Sequence, residues 1–159
     1  MKKILLLVAL SATLFTLNSF SQDSTKQSYL PQLLSLYYGI KDALVASNAA
    51  TAALKAGSFV KAVQEIDATS IPGTSISILL KDAGKIAATK NLEKQREIFA
   101  GFSSNMVALA KTGKLGDKPV YEAYCPMKKS SWLSSEKAIK NPYYGSSMLT
   151  CGEVTSTIQ

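Results

Sequence analysis

The sequence predicts a mainly α fold: an up-down four-helix bundle followed by a C-terminal tail that contains a short two-stranded element and a short helix. Three observations predict it. Apolar residues recur at three-four spacing through four successive segments between Leu30 and Lys111. Asparagines suited to starting helices, and Pro or Gly residues suited to ending them, separate those segments. After Gly116 the pattern changes to strand formers, aromatics and turn residues.

In the first segment, Leu30, Leu33, Leu34, Tyr37, Ile40 and Leu44 fall on one face of a helix running to about Ser47. Asn48 is a good N-cap for a second helix. Its buried stripe is Ala52, Ala56, Phe59, Val63 and Ile66, and its alanines favour helix and allow a close neighbour. Ile71-Pro72-Gly73 breaks it, because proline cannot continue a helix. A third helix fits Ser75 to Thr89, with Ile76, Leu79, Leu80, Ala83 and Ala87 inward. Asn91 caps a fourth, in which Leu92, Gln95, Phe99, Phe102, Met106 and Leu109 run down one face. Gly113 is its natural left-handed stop. Four amphipathic helices with short connections form a bundle most economically, with these apolar residues as its core. Arg96, the one arginine beside 17 lysines, reads as a side chain on a solvated helix face. Its alternative partners are a carboxylate near Glu93 or Glu97 and a backbone carbonyl of the tail.

The tail opens on Val120-Tyr121-Glu122-Ala123-Tyr124, rich in strand formers, and Met148 to Thr157 is again strand-compatible. Between them, Ser134 to Lys140 fits a short capped helix ending before Asn141-Pro142. This arrangement places Cys125 and Cys151 near each other and leans the tail on the bundle through Trp132, Tyr143 and Tyr144.

The N-terminus has the layout of a secretory signal peptide. Lys2-Lys3 precede an apolar run from Ile4 to Leu17, and Ser19-Phe20-Ser21 offers small residues before a cleavage point ahead of Gln22. The expected organisation is a signal peptide at 1–21, a flexible mature N-terminus at 22–28, and a single domain at 29–159 whose tail is 118–159. No second apolar stretch is long enough to span a bilayer, so the mature chain is expected to be a soluble exported, periplasmic protein. Without Lys2 and Lys3 it carries 16 basic residues against 11 acidic ones. Those lysines are dispersed, which argues for a solvated surface and against nucleic-acid binding.

Sulfur is concentrated in the tail. Cys125-Pro126-Met127 and Met148-Leu149-Thr150-Cys151 hold both cysteines and two of the four methionines, in a chain with no histidine. Thiolates and thioethers are the soft donors that Cu(I) prefers. The candidate metal ligands are therefore Cys125, Met127, Met148 and Cys151. A structural zinc site normally wants four Cys or His ligands, and acidic residues are too sparse here for calcium. The alternative is a disulfide between Cys125 and Cys151, which in an oxidising compartment would contribute roughly 3 kcal/mol in the chain-entropy account. A reversible pair would do both in turn. Catalysis is not expected: the commonest general base is missing, there is no nucleophile motif or phosphate loop, and the cysteines lie far apart in sequence.

Tyr124-Cys125-Pro126-Met127, Trp132-Leu133-Ser134, Asn141-Pro142-Tyr143-Tyr144-Gly145 and Met148-Leu149-Thr150-Cys151-Gly152 together resemble the signature of a small exported helical domain family of unknown function. Glu93-Lys94-Gln95-Arg96 with Phe99 and Ser103 resembles it too. The resemblance runs from about Tyr29 to Ile158 and is most specific in the tail. It implies an association with metal handling, since the domain also occurs appended to membrane-fusion adaptors of copper and silver efflux pumps. One departure is the short Lys128-Lys129-Ser130-Ser131 link, where the family carries a longer glycine-containing insert. The expected function is thus a Cu(I)- or Ag(I)-binding or transfer protein whose partner is an efflux component or another envelope protein. The alternative is a disulfide-stapled, metal-free interaction module, with Trp132, Tyr143 and Tyr144 as a contact surface.

Overall fold

A computed structural model of the protein describes residues 29–66, 73–113 and 118–158. The expected signal peptide and flexible mature N-terminus lie outside the described residues. Four helices, α1 (Tyr29–Val45), α2 (Ala49–Gln64), α3 (Gly73–Ala87) and α4 (Leu92–Thr112), precede a sheet of β1 (Val120–Cys125), β2 (Ser130–Ser134) and β3 (Glu153–Ile158). A 3₁₀ turn, Gly145–Met148, sits between β2 and β3. Among the described residues no helix is long and apolar enough to cross a membrane.

The helices form where the apolar spacing places them. Leu33, Leu34, Tyr37, Ile40 and Leu44 of α1 are buried, as are Ala52, Ala56, Phe59 and Val63 of α2. Leu79, Ala83 and Ile86 of α3 join Phe99, Phe102 and Met106 of α4 in the same core. Both asparagine caps are made: Asn48 Oδ1 accepts the Thr51 amide and Asn91 Oδ1 the Lys94 amide, each at 2.9 Å. Each satisfies one of the orphan N–H groups that open a helix. Consecutive helices pack on one another, and β2 packs on α4. Gln95, wholly buried, ties three elements together, its Nε2 donating to the carbonyls of Ala49, Ile86 and Thr89.

Four expectations need correction. The tail holds three antiparallel strands in the order β2-β1-β3, not two. Ser134 to Lys140 is not a helix: the Ser134 hydroxyl accepts the Glu136 amide at 3.1 Å and the chain bends through Ser135 to Ala138. So short a segment, stopped by Pro142, gains too few intrahelical bonds to offset the cost of starting one. Gly113 ends α4 in an extended conformation (φ −121°, ψ 165°) rather than a left-handed one. A Cβ there would lie 2.5 Å from a terminal methyl of Leu30, which would have to shift to admit it. Arg96 does not sit on a solvated face; it grips backbone carbonyls, as described below.

The sheet is stitched to the helices by a chain of rings. Phe59 meets Phe102 edge-on at 5.0 Å, Tyr37 stacks on Phe99 at 5.5 Å, and Tyr143 bridges Phe99 and Trp132 at 5.9 and 6.0 Å. Trp132 and Tyr143 are buried in this run, so the aromatic contact surface considered for them does not exist. Tyr144 is half-buried against the same core.

Candidate functional site

The register of β1 against β3 brings the two cysteines together. Cys125 is the last residue of β1, and its neighbour Tyr124 pairs with Glu153, so the chain entering β3 passes alongside it. The two sulfurs stand 3.5 Å apart, and both are free thiols. Cys125 is buried and Cys151 half-buried. Gly152 makes the close passage feasible. Its φ of +137° is open to few other residues, and a Cβ there would lie 2.7 Å from the Trp132 ring and 2.8 Å from the Tyr124 carbonyl.

Cys125 sits in a ring of donors. Burial would push its thiol up, but hydrogen bonds from the Lys128 amide, the Asn141 carboxamide, the Cys151 thiol and the Met127 amide hold it below the usual thiol value. Cys151 is pushed the other way, first by donating its hydrogen bond to Cys125. Of the pair, Cys125 is therefore the readier thiolate. The amides come from the tight turn between β1 and β2, in which Lys129 takes a left-handed conformation (φ 53°). Amides converging on one atom in a turn favour an anion there.

The methionines flank the pair. Met127, 64% exposed, stands on the β1–β2 turn, and Met148, 36% exposed, ends the 3₁₀ turn. The Cys151 amide donates to the Met148 carbonyl at 3.1 Å, so that methionine and the thiol share one turn. Among the described residues no three His, Cys, Asp or Glu side chains gather as a metal cluster would.

Two residues that the sequence reading gave no part in the site hold the segment behind it. Asn141, wholly buried, donates its Nδ2 to the Cys151 carbonyl at 2.7 Å and accepts the Tyr143 and Tyr144 amides on Oδ1 at 2.8 and 3.3 Å. Arg96 donates Nε to the Pro142 carbonyl at 3.1 Å, and Nη2 to the Leu44 carbonyl at 2.9 Å and the Ser47 hydroxyl at 3.0 Å. It thereby pins the tail to the α1–α2 corner. Partial burial lowers its basicity without removing its charge. The signals were an Asn-Pro turn pair and a lone arginine; a tail carbonyl was one alternative for the arginine, and the fold identifies it as that of Pro142.

The sequence profile of a family described as Protein of unknown function (DUF3347) matches residues 33–118, which is more than half of the chain. The match ends before β1, so both cysteines lie beyond it. No curated protein matches the chain, and no solved structure matches it.

Proposed function

The chain belongs to this DUF3347 family of unknown function, and on that footing we propose that it is an exported, non-catalytic protein that binds a soft monovalent ion, Cu(I) or Ag(I), at Cys125 and Cys151. The observation that carries the reading is the pair of free thiols in contact at 3.5 Å, one of them buried among hydrogen-bond donors. Two thiolates sharing a tetrahedral ion with bonds of zinc-thiolate length stand about 3.8 Å apart, so a small spreading of the pair admits an ion. Soft sulfur donors select Cu(I) over the hard divalent ions. A site with only two close protein donors leaves coordination positions free, and the exposed thioethers of Met127 and Met148 stand on the flanking turns to fill them or to pass the ion on. Transfer to an efflux or other envelope component is the role this suits. Export itself rests on the signal-like N-terminus.

The same contact favours a second reading, a disulfide that staples β1 to the start of β3. Closing it requires the sulfurs to approach from 3.5 Å to about 2.05 Å. In that case the protein is a metal-free interaction module.

One experiment separates the two. The mature protein is purified, its free thiols counted, and the reduced form titrated with Cu(I) against a chelator of known affinity. One ion per chain is expected, with Cys125→Ser abolishing uptake and Met148→Leu weakening it. Reduced protein that takes up no Cu(I) in competition overturns the metal reading.

A further inference from the structure

The buried carboxamide of Asn141 sits between the two thiol-bearing segments. Its Nδ2 donates to the Cys151 carbonyl at 2.7 Å, and the carboxamide lies near enough to the Cys125 sulfur to help lower that thiol's pKa. The other end of the same group is fixed, because Oδ1 accepts two successive backbone amides, those of Tyr143 and Tyr144. Its backbone is fixed as well: the Asn141 amide donates to the Leu149 carbonyl at 2.8 Å, and the Asn141 carbonyl accepts the Gly145 amide at 3.0 Å. Its Nδ2, its Oδ1, its backbone amide and its backbone carbonyl are therefore all engaged, and every one of these bonds lies within the 141–151 segment that carries Cys151. A buried asparagine that only completed a turn would need its oxygen alone. The Nδ2 bond to the Cys151 carbonyl is surplus to the turn.

We propose that Asn141 is the positioning residue of the thiol pair, its carboxamide holding Cys151 at contact distance from Cys125. This deepens the dithiol reading above and rests on it. The Arg96 grip on the Pro142 carbonyl, one residue along, keeps the carboxamide from swinging out of place. Partners one step removed from a metal ligand typically change affinity 10–100-fold when lost.

The test uses the mature chain with Asn141→Ser, and Tyr143→Phe as its control. A serine hydroxyl still accepts the turn amides but is too short to reach either cysteine. Tyr143→Phe loses a buried bond of similar quality, Oη to the Ser131 carbonyl at 2.6 Å, without touching the thiols. Two readouts are taken: Cu(I) affinity against a competing chelator, and the rate at which oxidised glutathione closes the pair. In that closure one thiol attacks glutathione disulfide and releases one glutathione. The second thiol then attacks the mixed disulfide and releases the other, so that two protein thiols are oxidised and one disulfide is reduced. Asn141→Ser is expected to slow the second step and to weaken Cu(I) binding, each by at least ~10-fold, with Tyr143→Phe near wild type in both. Equal effects from both variants, or none from Asn141→Ser, overturn the proposal. Closure involves no metal, so a wild type that binds no Cu(I) removes the metal reading and leaves this test intact. Should Asn141→Ser not fold, the Asn141 side-chain NH₂ signals of the wild type decide. They are expected to exchange slowly and to shift in Cys125→Ser, and unshifted signals overturn the proposal.

Discussion

The Tyr37 hydroxyl lies 2.6 Å from the Ser103 hydroxyl, and the direction of that bond follows from its neighbours. Ser103 spends its proton on the Ser131 carbonyl at 2.9 Å, and Tyr37 Oη accepts the Leu133 amide at 3.0 Å. Tyr37 must therefore be the donor to Ser103. The chain of bonds runs from β2 through α1 to α4 and back to β2. Strand β2 is an edge of the sheet, and these side chains, with Tyr143, satisfy polar groups that no further strand pairs. Burial drives the Tyr37 phenol well above its ordinary range, so it stays a donor at any physiological pH.

Tyr37→Phe keeps the ring contacts and strands the buried Leu133 amide. We expect a loss of about 2 kcal/mol in urea unfolding, the cost of one buried donor left unpaired. Ser103→Ala should cost less, about 1 kcal/mol, because Tyr143 still donates to the Ser131 carbonyl. The double variant should lose less than the two losses added, since both break one chain. Additive losses would mean that the two hydroxyls act separately.

The four helices were legible because their apolar residues repeat at three-four spacing and because Asn48 and Asn91 announce two of the starts. The sheet was only half legible. Ser130-Ser131-Trp132-Leu133-Ser134 lacks the alternation of a half-buried strand, since Trp132, Leu133 and Ser134 are all buried. Its strand state is set by pairing with β1 and by the hydroxyls of Tyr37, Ser103 and Tyr143, which lie elsewhere in the chain. For the site, the meeting of Cys125 and Cys151 could be anticipated from two strand-like flanks. A tail carbonyl was among the partners considered for Arg96, but neither which carbonyl it is nor the role of Asn141 could be read, because both act on backbone groups, which leave no mark in a sequence.

The Glu122 carboxylate ties β1 to the end of α4, receiving Lys111 at 2.7 Å and the Ser156 hydroxyl at 2.9 Å. Burial alone would raise its pKa, but these two bonds outweigh burial and hold it below the usual carboxylate value. A carboxyl with a depressed folded pKa adds stability above its unfolded pKa of about 4.3, and that stability is lost as pH falls through the lower folded value. Lys111 is half exposed, so the contribution is about 1 kcal/mol at most. Glu122→Gln should lower the urea midpoint modestly at pH 7, with the gap to wild type closing as the carboxyl becomes protonated in acid. A gap that persists in acid would trace the effect to packing.

Lys41 is a buried charge in α1, 4% exposed, with its ammonium 2.7 Å from the Asp42 carboxylate. Its ammonium also stands over the Tyr38 ring, 5.9 Å from the centroid. Exchanging a buried charge for a hydrophobic side chain of similar length is often neutral or favourable, whereas removing one partner leaves the other charge uncompensated. Lys41→Met should thus leave the thermal midpoint unchanged or raised, and Asp42→Asn should lower it. A loss from both variants would show that the pair itself stabilises the helix, and the opposite ordering would show that Asp42 is not what compensates the Lys41 charge.

At Gly145 the tail meets both the α1–α2 corner and α4. It holds φ +57°, and a Cβ there would overlap the Arg96 guanidinium while standing 2.8 Å from the Ser47 hydroxyl and 3.0 Å from the Val45 carbonyl. Alanine at this position carries two separate penalties: a left-handed backbone that a side chain disfavours, and displacement of the arginine from the carbonyls of Pro142 and Leu44. Together these should cost about 2–3 kcal/mol in urea unfolding. The two penalties can be separated. In an Arg96→Ala background the guanidinium overlap disappears while the backbone term and the close approach to Ser47 and Val45 remain, so Gly145→Ala should cost less there, about 1–2 kcal/mol. If the alanine costs as much without the arginine as with it, the guanidinium does not occupy the place behind Gly145, and the anchoring of the 141–145 segment by α4 fails with it.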